Sequence, residues 1–553
     1  MAPIALFIAA FWVRALVAAG YDDPAYPDSF YYANLARQLA AGAGFQIDYI
    51  WNFVDVGGRL PPEGHLPIPS NAHWMPLAAL VQVPFIWTFG PVPLAQGLPF
   101  WIIGATAAPI CYLIGRDAAL PKAQALAAGV LGGVPGALTQ FLAQPDNFAL
   151  FMPLGALALW ACGRGMRGDR RAFALGGLVV GIATLSRNDG PLLGIPFALA
   201  FLAERWRSWR ARSTGRIGVW PIGWRAGLAC AGAFLLVTAP WYLRQLLVFG
   251  SFSPSAASGR ILWIRSYGEL YSATGETTVG SFLSQGPTAL LASRIGGLAA
   301  ALVIFAGLPL LLYLVPFTAI GAWLRRRDPL FAPWLIYAAS LFAFSGLLFA
   351  VHVPFGTFLH SAVALVPHAY LLAIVGVASS VVWVARRRPR WDAPRATRNF
   401  TAAAVVVAVG GAIGSVWRTE SDWRDEALMR APIVAELART APGERVMSPD
   451  AGAYRYHAGR PGIVTPNDPL PVVEQALRVY DVRWLVLERD HLVPALAPLL
   501  EGAARPSWLS APRVVVQSGQ RAEVAATGPT GRAMPPAAMY AVCFDPGDER
   551  CAR

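Results

Sequence analysis

The sequence has almost no lysine. Lys122 is the single one among 45 basic residues, which removes Schiff-base and lysine-nucleophile chemistry from nearly every position and leaves arginine as the fixed cation of any site. Charge of either sign is scarce too. Only 14% of residues are charged, against roughly 25% in a water-soluble chain, while 56% are apolar. The five cysteines exclude a disulfide scaffold. Cys111, Cys162 and Cys230 lie in apolar runs and read as small packing residues, whereas Cys543 and Cys551 form either a disulfide, in an oxidising compartment, or two free thiols. Missing motifs exclude further classes. There is no P-loop, dinucleotide fingerprint, Gly-x-Ser-x-Gly, His-Glu-x-x-His or Cys-x-x-Cys, which argues against an ATPase, a Rossmann enzyme, an α/β-hydrolase and a zinc site. No repeat of a solenoid or an inverted-repeat transporter is visible.

Long apolar runs are what the sequence does have. About 20 residues of helix cover a ~30 Å hydrocarbon core, and runs near 3–19, 93–115, 122–140, 147–163, 172–187, 190–203, 226–246, 297–324, 329–350, 359–384 and 401–417 read as eleven spans. The stretch from Met75 to Phe89 carries Pro76 and Pro84, with Pro91 just beyond, and reads as an interfacial helix. The chain opens almost at once on its first run, without the basic leader of a cleavable signal peptide.

The net charge of +13 would suggest nucleic acid in a soluble chain, but here the placement of the arginines decides. Alternate short loops hold 21 basic residues, in the clusters around Arg116, Arg164 to Arg171, Arg205 to Arg225, Arg325 to Arg327 and Arg386 to Arg398. The opposite loops hold 7: Arg37, Arg59, Arg187, Arg244, Arg260, Arg265 and Arg294. The positive-inside rule makes the first side cytoplasmic. Residues 20–92, the turns at Asp146 and Arg187 to Asp189, residues 247–296 and everything after Trp417 then face outward, as expected of a plasma (inner) membrane protein. Two domains are expected: 1–417, helical and transmembrane, and 418–553, a small external α/β domain with strands near 445–447, 484–487 and 514–516.

The first external loop is far longer than a connection requires. It holds Asp22, Asp23 and Asp28, then Pro27-Asp28-Ser29-Phe30-Tyr31-Tyr32 opening a predicted helix over 29–41 that stops at Gly42. Asp28 sits where an N-cap belongs, and a carboxylate at the membrane surface also suits a general base on an acceptor hydroxyl. Asp146, in Gln144-Pro145-Asp146-Asn147, opens the fourth span with the same capping alternative. Asp189 sits in a turn where Asp is common for backbone reasons. Arg187 either snorkels or meets an anion. Pro240-Trp241-Tyr242-Leu243-Arg244, with Arg260 and Arg265 further on, joins forked phosphate donors to aromatic faces. The alternative is an ordinary aromatic and basic membrane belt. His73 lies outside as well, His65 and His73 lack carboxylates at ligand spacing, and His360 and His368 read as residues that pack or make a backbone hydrogen bond rather than ligands. Oxygen ligands alone satisfy a hard cation, so a divalent metal on Asp28 and Asp146 stays chemically open, but no motif supports one.

In order, these motifs resemble the GT-C glycosyltransferases, in particular the branch of protein O-mannosyltransferases and lipid A aminoarabinose transferases. The resemblance rests on Asp28 with Tyr32, Ala36, Leu39 and Gly42; on His73 with Pro76-Leu77; on Asp146 opening the fourth span; on Arg187 with Gly190; and on Pro240-Trp241-Tyr242 with Arg244. It covers roughly the first 270 residues. It departs from the family at Ser29, where a second acid is common, and at Arg187, where lysine is. The resemblance implies an all-helical GT-C membrane fold and an inverting transfer of sugar from a polyprenyl-phosphate donor to a hydroxyl acceptor outside the cytoplasm, with no cofactor required. It implies Asp28 as base, Asp146 as an orienting acid, and Arg187, Arg244, Arg260 and Arg265 on the donor phosphate. Tyr32, His73, Trp241 and Tyr242 would line the substrate. The implied partners are the lipid-linked donor, membrane lipid and an acceptor that is protein, lipid or glycan, with no nucleic acid. A secondary transporter or lipid flippase is the alternative; such proteins put ionisable groups at mid-membrane, whereas here they gather at one face.

Overall fold

The computed structural model describes residues 1–21, 24–213, 221–388, 390–502, 505–517 and 534–545. Asp22, Asp23, Arg216 and Cys551 lie outside the described residues, so the Cys543 and Cys551 pairing does too. The chain forms two compact units. One comprises Met1–Asp22, Trp74–Ser255 and Thr288–Glu420; the other comprises Asp23–His73, Ala256–Pro287 and Ser421–Arg553. The expected cut after Trp417 comes close to one boundary, but the segments 23–73 and 256–287 leave the helical unit and join the C-terminal residues.

The first unit is helical. Among the described residues, Pro93–Asp117, Phe148–Met166, Gly223–Phe249, Gly286–Gly307, Thr357–Ala385 and Ala393–Leu437 are long and apolar enough to cross a bilayer, and the bent pair Lys122–Gly133 and Gly136–Ala143 makes a seventh. Ala2–Ala18, Leu77–Phe89 and Ala332–Leu347 are shorter apolar helices. The chain is therefore a multi-pass membrane protein. One expected span is corrected: the run 297–324 is two helices, Gly286–Gly307 and Val315–Arg325. Between them Pro309 has no N–H to continue the ladder, and Leu311 and Leu312 take positive φ values of 48° and 61°.

Small residues set how closely these helices pack. A Cβ on Gly177 of helix Arg170–Ser186 would collide with the backbone carbonyl of Cys230, and one on Gly376 with that of Phe317. This is the close backbone approach that membrane helices gain from glycine. Arg14, inside the first apolar run and unremarked in the loop count, is fully buried. Its Nη1 donates to Ala10 O and to Gly133 O, both at 2.9 Å, and Gly133 ends the helix whose continuation is bent. The arginine thus satisfies a carbonyl that the bend would leave without a partner.

The second unit is built on a six-stranded sheet. Its strands are β1 (Tyr49–Ile50), β2 (Arg445–Ser448), β3 (Gly462–Val464), β4 (Val482–Glu488), β5 (Leu509–Val515) and β6 (Ala537–Val542), in the order β1-β3-β2-β4-β6-β5. The first four are parallel, and β6 and β5 run antiparallel at one edge. Helices Ala451–Ala458 and Leu470–Val479 make the crossovers. Strand β1 comes from the first loop, which explains why that loop belongs here. Gly64 N donates to Val479 O at 3.1 Å, Phe53 N to Leu270 O at 3.1 Å, and Arg455 pairs with Asp48 at 2.7 Å. Asp468 holds the 256–287 segment, accepting from Ser272 Oγ at 2.8 Å and Ala273 N at 2.6 Å.

Arg430, near the end of the 45-residue helix Ala393–Leu437, holds the part of it that belongs to the second unit, residues 421–437, against the sheet. It forks onto Glu488 at 2.9 and 3.0 Å, lies 2.7 Å from Glu426 and 3.6 Å from Asp450, and Tyr454 Oη donates to Glu488 at 2.8 Å. Burial alone would raise the Glu488 carboxyl, but Arg430 and Tyr454 hold it below the ordinary carboxylate range. A buried pair broken on one side leaves a charge without compensation. Arg430→Met should therefore destabilise the second unit by about 3–5 kcal/mol, read by denaturant unfolding of the purified chain. Arg439→Met, at the exposed pair with Glu436, should change it by about 0–1 kcal/mol.

Candidate active site

In the helical unit, polar residues converge at the ends of three helices. Asp146 follows a short 3-10 turn, Phe141–Ala143, and Pro145 keeps the chain extended there. The cap of helix Phe148–Met166 is Asn147, not Asp146 as expected; Asp146 instead accepts from the backbone N–H of Asn147. Its carboxylate is completely buried. His360 Nδ1 lies 2.9 Å from Asn147 Oδ1 and 3.9 Å from Asp146 Oδ2, with its ring on Phe148. His360 was expected to pack or to bond a backbone group; its ring does pack, on Phe148, but its hydrogen bond goes to the Asn147 side chain, next to the acid that opens the fourth span.

The residue after His360 joins a second polar group. Arg187 ends helix Arg170–Ser186, and its Nε donates to Asp189 Oδ1 and to Ser361 Oγ, both at 2.9 Å; Nη2 reaches Thr357 O at 3.2 Å. Ser361 Oγ also donates to Asp189 Oδ2, and Tyr337 Oη to Ser361 O at 3.3 Å. Asp189 is thus the partner that orients Arg187, rather than a turn residue alone. Gly190 makes the turn feasible, since a Cβ there would stand 2.6 Å from Thr184 Cα. Arg187 is 8% exposed, a guanidinium held rigidly at the end of a helix.

The Pro240 motif lies within helix Gly223–Phe249. Trp241 Nε1 donates to Pro254 O at 2.9 Å, Tyr242 packs on Phe252, and Arg244 lies 5.0 Å above the Trp241 ring.

The second unit holds the other predicted residues. Helix Pro27–Ala40 has Tyr26 as its N-cap, and Ser29 two residues into the helix closes a capping box: its Oγ accepts from Ala25 N and Tyr26 N at 3.2 and 3.1 Å and donates to Tyr26 O at 2.7 Å. Asp28 is therefore not the N-cap but the acid of the helix's first turn. Its charge reaches Tyr267 and Tyr271, whose rings lie 6.0 Å apart. Burial first, with Asp28 adding, pushes the Tyr267 phenol up to about 12 and that of Tyr271 well above its ordinary value. Both stay protonated at neutral pH and can donate hydrogen bonds. Trp51 packs on Tyr271 and on His73, so aromatic rings lead from His73 to the tyrosines beside Asp28. Tyr32 is fully buried, edge-on to Tyr31. Arg265 is paired with Glu269 at 2.7 Å and half exposed, and Arg260 donates to Val54 O at 3.4 Å.

The sequence reading did not single out Asn147, Ser361, Tyr337 or Tyr271. A signal for one existed: His360-Ser361 is a polar pair inside an otherwise apolar run, where such residues need partners.

Residues 75–220 match the family model described as dolichyl-phosphate-mannose-protein mannosyltransferase. Among solved structures the chain is similar to ArnT from Cupriavidus metallidurans bound to undecaprenyl phosphate, with TM-score 0.54 and 14% identity, covering 97% of each chain. The same protein in its apo state gives 0.53, 15% and the same coverage. No curated protein matches the chain in sequence. The family match spans about a quarter of the chain, and the likeness to ArnT, at 14–15% identity over almost the whole of both chains, shows the fold.

Asp55 gives this region a pH dependence. It lies beside Val54, whose carbonyl receives Arg260, its Oδ1 is buried without a hydrogen-bond partner among the described residues, and burial pushes its carboxyl up to about 7. An unfolded aspartate ionises near 3.9. Between these values the folded chain holds a proton that the unfolded chain has lost, so stability falls as pH rises from about 4 to about 7 and stays lower above. Asp55→Asn should remove that slope: thermal unfolding at pH 5 and pH 8 should show the variant gaining on the wild type as pH rises.

Proposed function

We propose that the chain is an inverting glycosyltransferase that moves a sugar from a polyprenyl-phosphate carrier to a hydroxyl acceptor at the outer face of the plasma (inner) membrane. The acceptor hydroxyl gives its proton to Asp28 and attacks the anomeric carbon, while the bond from that carbon to the phosphate oxygen breaks and polyprenyl phosphate departs. Arg187, oriented by Asp189 and Ser361, stabilises the developing phosphate charge through charge-assisted hydrogen bonds. Arg244, Arg260 and Arg265 are secondary candidates for that contact, and Asp146 orients a substrate with His360 and Asn147 behind it. Trp241, Tyr242, His73 and Tyr32 are assigned to sugar or isoprenoid faces. The ArnT likeness, to a protein solved with undecaprenyl phosphate bound, supports a lipid-linked donor. Outward placement is supported by the arginine bias of the loops.

The observation that carries this reading is that Tyr26 is the N-cap and Ser29 bonds its backbone N–H, so the partly exposed Asp28 carboxylate is not taken up as the cap. It stands beside two phenols that can donate but not accept protons at neutral pH. Transfer of labelled sugar from polyprenyl-phosphate donors in membranes tests it. Asp28→Asn should abolish transfer with unfolding unchanged, whereas Ser29→Ala should cost about 1 kcal/mol of stability and keep turnover. The reverse pattern would make Asp28 a structural residue. The proposed chemistry uses no nucleotide or cofactor. Turnover that survives EDTA keeps this scheme; turnover lost in EDTA and restored by Mg²⁺ or Mn²⁺ would put a cation on the carboxylates in place of a simple base.

A further inference from the structure

A groove of about 1160 Å³ opens on the helical unit between helices Lys122–Gly133, Val315–Arg325, Val366–Ala385 and the start of Ala393–Leu437. It exceeds the roughly 300–1,000 Å³ of a small-molecule pocket, and its walls are aliphatic, from residues such as Leu126, Val375 and Val405. Its rim is basic, with Arg325, Arg386 and Arg398 among the lining residues and no acid among them. Arg325 is paired with Asp328 at 3.1 Å. Arg386 and Arg398 have no ion pair among the described residues. The nearby Asp392 instead accepts from the backbone N–H of Arg395.

A second observation lies deeper in the groove. Thr401 is 6% exposed, lines the cavity, and its Oγ1 is buried without a hydrogen-bond partner among the described residues. It follows Arg398 by three residues on the same helix, so it sits about 4.5 Å further along the axis on nearly the same face. Charge at the rim, a hydroxyl one turn below and aliphatic walls beyond repeat the layers of a phospholipid: phosphate, glycerol ester, acyl chains. Trp383 on the rim is placed as interfacial tryptophans are.

We infer that this groove binds an anionic glycerophospholipid, with its phosphate between Arg386 and Arg398, an ester oxygen on the Thr401 hydroxyl, and its acyl chains along the aliphatic walls. The occupant is a phospholipid of the leaflet at this end of the bundle, not the sugar carrier. His360 and Arg386 bound opposite ends of the helical segment Thr357–Ala385, roughly 35–40 Å apart at 1.5 Å per residue. That separation puts the groove a bilayer's thickness away from the Asp146 and Arg187 residues.

Native mass spectrometry of the full chain after stepwise delipidation, with phosphatidylglycerol, phosphatidylethanolamine or undecaprenyl phosphate added back, tests this. The wild type should retain one phosphatidylglycerol in preference to phosphatidylethanolamine. The double variant Arg386→Gln, Arg398→Gln should weaken that retention roughly thirty-fold. Ala402→Trp keeps both arginines but fills the groove, and should also lose the lipid while its thermal unfolding shows it folded. Equal retention of the two phospholipids, unchanged retention in both variants, or preferential capture of undecaprenyl phosphate would each overturn the assignment.

Discussion

Hydrocarbon offers no partner for a polar group, and this constraint orders the helical unit. Every backbone donor inside the bilayer must be satisfied by the helix itself, so functional side chains can gather only where helices end or break. Asp146 and Asn147 stand at the start of one helix, Arg187 and Asp189 at the end of another, and His360 and Ser361 in the first turns of a third. Each of those ends has orphan backbone groups that draw polar side chains. Arg14 shows the rule from the other direction. It is a mid-helix cation, and its bond to the Gly133 carbonyl answers a break in a neighbouring helix rather than a substrate.

The same constraint divides labour between the units. Where water is available, backbone pairing can be long range, and the second unit uses it: strand β1 of the first loop pairs with β3, more than 400 residues later in the chain. A loop containing a candidate base is thereby fixed by a sheet instead of being left to its own short helix. Arg430 does the corresponding work within the second unit, tying residues 421–437 to Glu488 on β4. The three carboxylates around this guanidinium would repel without it, so the cluster is a specific joint and not a general source of stability.

Much of this was legible in the sequence, and what was not had a physical cause. Apolar runs and the asymmetry of arginine carry long-range information in a purely local signal, so the membrane class and the motif order could be read directly. Pro309 could also have split the run 297–324, but a proline in an apolar stretch is compatible with a kinked single helix, and only packing decides. The N-cap at Asp28 was misassigned because Asp and Ser are both good caps and stand side by side; Pro27 at the first helical position moves the cap back to Tyr26 and hands the bonding to Ser29. The union of residues 23–73 and 256–287 with the C-terminal residues was not legible at all. A two-residue strand such as Tyr49–Ile50 has no periodicity to detect.

Two acids that looked alike in sequence differ most in the structure. Asp146 is sealed in the helical unit, bonded to the next peptide N–H and faced by His360, so an ionised carboxylate there has directed partners and little freedom. Asp28 is partly exposed on the first turn of a helix whose cap is already supplied, with phenols that remain protonated beside it. A general base must reach a mobile acceptor and pass its proton on to solvent, which favours the accessible acid. An orienting group must not move, which favours the buried one. The difference in burial, rather than any difference in local motif, is what separates the two proposed roles.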